Sequence, residues 1–151
     1  MRELRKRATI TERDTGRAMS EDRLEVMRRM LDAFNRDDVD AVIASFAEHC
    51  QIIEPFEMPD APVHGFRGHR GIREWMANLR GTAGAEFELR TVTEAGDFWL
   101  CELASRGLSP ASGVRVEWTT FAVVRIRDDK IEHVRVFLDR GEALEAAEPP
   151  D

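Results

Sequence analysis

The sequence contains no tyrosine, so a phenol is missing from the donors and acids available to any site. Cysteine is nearly as scarce. Cys50 and Cys101 are the only two, too few for a disulfide framework. Both stand in apolar strand patterns, which suits buried, reduced thiols. No apolar run approaches the ~20 residues that cross a bilayer as a helix. The basic N-terminus lacks the apolar stretch of a signal peptide, and a cytoplasmic location is expected. A Gly-rich phosphate loop, a CxxC pair, an HExxH motif and a nucleotide fingerprint are all missing. No nucleotide, haem or zinc site is therefore expected, and no cofactor or metal is assigned.

The charge that is present is uneven. Residues 1–18 hold six Arg/Lys and three acids, a net of +3, which leaves −10 on the remainder of a chain whose total is −7. An acidic body argues against nucleic acid as the partner, and a membrane partner is not expected either. The acids scattered through residues 1–18 favour a disordered, solvated basic leader over a binding arm. The length of 151 residues with 42% hydrophobic content suits one domain with one core. That domain is expected at 19–147, followed by a tail at 148–151.

Ser20 stands where a helix cap is wanted, ahead of Glu21 and Asp22. Leu24, Met27, Leu31 and Phe34 then recur at spacings of three and four, and Val26, Met30 and Ala33 widen the stripe. After a turn at residues 35–38, a second helix is predicted to carry Val39, Val42, Ile43, Phe46 and Ala47. His49 is expected at its end, where an imidazolium suits the helix dipole. Gln51 to Phe56 reads as a strand that Pro55 ends or confines to an edge. A Gly-rich bend with a possible short strand near Val63–Phe66 leads to a third helix holding Ile72, Trp75, Met76 and Leu79, closed by Gly81 and Gly84. Four strands are predicted next: Phe87–Thr93, Phe98–Arg106, Val114–Arg127 and Lys130–Leu138. Asp128-Asp129 makes the tight turn between the last two. Asp139, three residues before Glu142, starts a short final helix.

Helices first and antiparallel strands afterwards suit an α+β cone, a curved sheet wrapped around helices with an apolar pocket. Four segments sharpen that expectation: LDAFNRDDVDAVIASFAEHCQIIEP (31–55), FRGHRGIREWM (66–76), SGVRVEW (112–118) and VVRIRDDKIEHVRVFLDRGEALEAA (123–147). Together they resemble the SnoaL-like branch of the nuclear-transport-factor-2-like (NTF2-like) superfamily, across residues 20–147. The resemblance implies a six-stranded curved, mixed or antiparallel sheet, three to four helices and frequent homodimers. The superfamily spans ketosteroid isomerases, polyketide cyclases and epoxide hydrolases, so the site must be argued from residues.

In the isomerase-like branch the general base stands just before the proline that ends the first long strand, and here that residue is Glu54. An apolar surrounding would raise its pKa towards the range of a working base. The bland alternative is a hydrated carboxylate, or one paired with Arg67 or Arg73. The matching positions for the isomerases' other groups carry Met30 and Ala122. Those for the epoxide hydrolases carry Leu103, Ser105 and Val136. No known catalytic set is complete, which disfavours both activities.

Alternation places Val116, Trp118, Thr120 and Ala122 on one strand face, towards the pocket in the register the resemblance implies. Trp118 could stack on a ring and Thr120 could donate a hydrogen bond, or both could be plain core. The expected pocket comprises Met30, Phe34, Ile52, Glu54, Trp75, Leu79, Leu103, Ser105, Trp118, Thr120, Val136 and Leu138. His64 and His69, read as loop residues, fit no metal spacing. The function expected is that of a pocket protein for a small apolar ligand, polyketide-, terpene- or steroid-like, with Glu54 as acid and base in an isomerase or cyclase reaction. A lyase or hydrolase fits less well. A non-catalytic binding module and a structural dimer of the same fold are the alternatives.

Overall fold

Apolar residues spaced by three and four build the first helix, α1 (Asp14–Asn35). Leu24, Val26, Met27, Met30, Leu31, Ala33 and Phe34 are all buried along it. The computed structural model describes residues 14–55, 64–109 and 111–147. The helix begins six residues ahead of Ser20, so residues 14–18, expected in the leader, are helical, and Ser20 is no cap. The earlier part of the basic leader and the tail lie outside the described residues.

Asp37 takes a positive φ of 61°, and Asp38 then caps α2 (Val39–Ala44) by accepting the Ala41 N–H at 3.1 Å. The helix is shorter than the sequence suggests. Phe46 and Ala47, expected on it, begin strand β1 (Phe46–Ile53). Ser45 makes the break. Its hydroxyl turns back to the Ala41 carbonyl at 3.2 Å, and its own carbonyl accepts the Ile131 N–H at 2.9 Å. The helical spacing of Phe46 is thus overridden by pairing with a distant strand. His49 consequently sits on β1 and not at a helix end. Its Nε2 lies 3.3 Å from Glu132.

The chain returns through Gly65 to β2 (Phe66–Arg67), then α3 (Gly68–Ala83). Gly65 has φ 77°, and a Cβ there would lie 2.3 Å from the Ile52 carbonyl oxygen. Only glycine lets the bend press this closely on β1. The short strand falls at the end of the expected Val63–Phe66 stretch. Gly81 is inside α3, which runs on until Gly84. His69 is likewise helical and not in a loop, and its Nε2 lies 3.0 Å from the Phe46 carbonyl.

A meander follows: β3 (Glu86–Ala95), β4 (Phe98–Leu108), β5 (Arg115–Arg127) and β6 (Lys130–Phe137), then α4 (Arg140–Ala147). Asp128 and Asp129 have φ values of 53° and 61°, the pair of left-handed residues that a two-residue hairpin requires. Asp139 caps α4, its Oδ2 accepting the Glu142 N–H at 2.9 Å.

The six strands form one sheet in the order β2-β1-β6-β5-β4-β3. All pairs are antiparallel except β1 with β6, which run parallel. The main core fills the concave side against α1, α2 and α3. A smaller one lies on the other side, where Ala143 and Ala147 of α4 pack on Leu100 and Val123. The result is the α+β cone expected from the element order.

Candidate functional site

A cavity of about 40 Å³ lies between the concave sheet face and the helices. Its walls follow from strand alternation. On β5, Trp118, Thr120 and Ala122 point into it; across the ladder, Leu103 pairs with Thr120, and Val136 with Ala122. Ile52 of β1 and Val134 of β6, also register partners, close the floor of the sheet side. Met27, Met30 and Leu31 of α1, Trp75 and Leu79 of α3, and Phe46 and Phe87 complete it.

Asn35, at the end of α1, fixes one of those walls. Its side-chain amide donates to the Phe87 carbonyl at 2.8 Å and accepts the Phe87 N–H at 3.0 Å. Both backbone groups of Phe87 are satisfied at once, which ties the helix to β3.

Glu54 and Pro55 stand at the rim, just past the end of β1, and both contribute to the lining. Glu54 Oε1 accepts the Trp75 indole N–H at 2.9 Å. Burial pushes the Glu54 carboxyl above its usual value, and the Trp75 bond, which favours the charged form, offsets only part of the effect. The anticipated arginine pairing does not form with Arg73, whose guanidinium lies 3.8 Å from Asp40. The indole is the partner that the sequence reading missed. Trp75 lies on the apolar stripe of α3, and nothing in the spacing separates its packing role from its N–H.

Of the expected pocket residues, Met30, Ile52, Glu54, Trp75, Leu79, Leu103, Trp118, Thr120 and Val136 are brought together around the cavity. Three are not. Phe34 is fully buried behind the wall, its ring 5.1 Å from that of Trp75 and 5.0 Å from that of Phe87. Ser105 is buried outside the lining, opposite Trp118 in the ladder, its Oγ 3.3 Å from Thr120 Oγ1. Leu138 follows the end of β6 and is 43% exposed. Val116, placed on the pocket face by alternation, extends beyond the cavity and is 39% exposed.

Other reactive groups stand elsewhere. His133 is on β6 but outside the lining; burial, with Arg125 and Arg135 nearby, lowers its pKa. Burial pushes the Cys101 thiol up to about 12 and raises Cys50 too, so neither is poised as a thiolate. No group of three or more His, Cys, Asp or Glu that could hold a metal occurs among the described residues. No helix among them is long and apolar enough to cross a membrane.

The chain resembles several solved structures. TerC, co-crystallised with polyporic acid, is 19% identical with a TM-score of 0.68, over 85% of this chain and 99% of its own. An NTF2-like protein from Burkholderia thailandensis is 24% identical with a TM-score of 0.67, over 84% and 98%. A protein with a ketosteroid isomerase-like fold from Catenulispora acidiphila, in complex with trimethylamine, is 16% identical with a TM-score of 0.65, over 83% and 94%. Likeness at these identities carries the fold. No curated protein matches the chain. The model of the SnoaL-like domain matches residues 27–134, most of the chain. The chain has the fold of NTF2-like structures and belongs to the SnoaL-like domain family.

Proposed function

We propose that the protein is an acid/base enzyme of the isomerase or cyclase kind, in which Glu54 moves a proton on a small apolar carbonyl compound. One observation carries this reading: a carboxylate on the lining of an apolar cavity, bonded among the described residues to one neutral donor and with its proton affinity raised. Burial makes such a group a stronger base than a hydrated carboxylate. In the proposed step Glu54 takes a proton from the carbon next to a carbonyl. The C–H electron pair moves into the carbonyl system, giving an enolate. Where a double bond is conjugated with the enolate, Glu54 returns the proton to the far carbon; alternatively the enolate carbon closes a ring on a second carbonyl, whose oxygen, now an alkoxide, takes the proton back from Glu54. Neither route needs an oxidant or reductant.

The cavity limits what can react. About 40 Å³ holds some three waters, whereas pockets for drug-sized ligands run to several hundred Å³. A steroid does not fit this closed form. A small carbonyl compound, or one end of a longer ligand lying in the rim, is the better match. Met27 and Met30 in the wall are unbranched and adaptable, so modest widening is inexpensive.

The test is turnover of a panel of small enolisable ketones. Glu54→Gln keeps the shape and the Trp75 partner but cannot take a proton. Turnover that survives this change sinks the proposal. A second reading, binding without chemistry, is favoured by Met30, Ala122 and Val136, which bring no donor to the lining. A ligand bound and recovered unchanged supports it. Homodimerisation, implied by the family resemblance, belongs with either reading and is checked by sedimentation.

A further inference from the structure

The buried hydroxyl pair of Thr120 and Ser105 has no counterpart in the role given to Glu54. Both residues are nearly inaccessible, at 5% and 2% exposure, on a sheet face that is otherwise apolar. They belong to adjacent strands, β5 and β4, with Oγ1 and Oγ 3.3 Å apart. Of the two, Thr120 lines the cavity and Ser105, diagonal to it on the neighbouring strand, does not. Two hydroxyls hold two protons, and one mutual hydrogen bond uses one of them. When Ser105 donates to Thr120, the Thr120 proton is left to point into the cavity. A buried O–H without an acceptor costs free energy, so the cavity is left in want of an oxygen at this spot.

The register gives the spacing. Ile53 pairs with Arg135, which puts Glu54 beside Val136, and Val136 pairs with Ala122, two residues from Thr120. Two strand spacings and a two-residue advance separate the Cα atoms of Glu54 and Thr120 by roughly 12 Å before curvature shortens the path. Side chains reaching inward from both ends leave a gap suited to one small ring.

We propose that Thr120, oriented by Ser105, is the hydrogen-bond donor to an uncharged oxygen of the ligand, a carbonyl above all, and so the residue that selects oxygenated over hydrocarbon occupants of the cavity. The inference deepens the proposed function, since it rests on the same cavity being a ligand site. It assigns the opposite end of the ligand from Glu54. An anion is disfavoured at this position because no cationic side chain among the described residues lines the cavity. Ser105 acts through Thr120 and is a positioning residue.

The experiment compares cyclopentanone with methylenecyclopentane, which has a CH2 group in place of the oxygen. Binding is read from the methyl resonances of Met27 and Met30 in the cavity wall. The wild type should prefer the ketone by about fivefold, the worth of one neutral hydrogen bond. Thr120→Val should bring the ratio to about one and tighten binding of the hydrocarbon. Thr120→Ser should restore the preference, which a merely structural threonine would not do. Ser105→Ala should lower the preference about twofold, because the Thr120 proton loses its bias. A ketone preference that persists in Thr120→Val overturns this assignment and leaves the role of Glu54 standing. A preference lost in Thr120→Val, alongside full turnover in Glu54→Gln, upholds the assignment and overturns the catalytic role. A wild type that binds neither probe overturns both.

Discussion

Glu54, just past the end of β1, and Glu132, near the start of β6, are both withdrawn from bulk water, in very different company. Glu132, with its side chain 10% exposed, has Arg125 at 3.2 Å, His49 at 3.3 Å and Arg127 at 3.9 Å. Among the described residues, Glu54 has the Trp75 N–H and a largely apolar lining. A carboxylate flanked by two guanidiniums is costly to remove, the pattern of a structural ion network. A carboxylate given one neutral donor is left ready to change its protonation state. Identical side chains, one on β6 and one just past the end of β1, thus separate by surroundings alone into a member of an ion network and a carboxyl in an apolar lining.

The strongest way to break the comparison is Glu54→Gln. Loss of a general base should cut turnover by about 10²- to 10⁴-fold, measured as kcat on whichever ketone of the panel reacts. The same variant should gain stability at neutral pH. The raised pKa of Glu54 means its neutral form is favoured in the folded state. Its contribution is therefore fully present at pH below the ordinary glutamate range, and it is lost as pH rises through the raised value. Thermal melts should show wild type and Glu54→Gln diverging only as pH climbs through that window, with the wild type the less stable. Equal pH profiles would show that Glu54 is hydrated after all.

Glu132→Ala should do the reverse. Turnover should hold, while stability falls by about 1–2 kcal/mol, discounted because the arginines remain partly exposed. Denaturant unfolding reads this directly. Trp75→Phe sharpens the contrast from the other side. Removing the indole N–H should raise the Glu54 pKa further and shift the acidic limb of the rate profile upward, at a cost of about 1 kcal/mol in stability. The smallest effect is expected for His49→Ala. That side chain is 78% exposed, so its pairing with Glu132 is worth about a few tenths of a kcal/mol.

Much of this arrangement was legible in the sequence, for definite reasons. Two-residue alternation puts Trp118, Thr120 and Ala122 on one face whatever the tertiary details, and the cavity lies on that face. Asp139 as a cap, and Asp128-Asp129 as a turn, are local signals with local outcomes. What was not legible depended on distant partners. Phe46 continues a helical spacing, but Ile131 of β6 takes the Ser45 carbonyl and β1 starts early. Phe34 and Leu138 obey the right periodicities. One is screened from the cavity by the rings of Trp75 and Phe87, and the other falls past the last ladder pair. Ser105 sits on the correct face yet outside the lining, opposite Trp118 in the ladder and bonded to the Thr120 hydroxyl.

The pairing of β1 with β6 also has a bearing on how the molecule comes into being. The hairpins of β3 through β6 join neighbours in the chain and can form from a short stretch, whereas Ile52 must wait for Val134, some eighty residues later in synthesis. Contacts so far apart along the chain close slowly, after the local ones. The pairing of β1 is therefore expected to follow that of the meander, an order that pulsed hydrogen exchange during refolding reads as late protection of the β1 amides. The acid acquires its unusual proton affinity only in that last event, so nascent and partly folded chains carry an ordinary surface glutamate in its place.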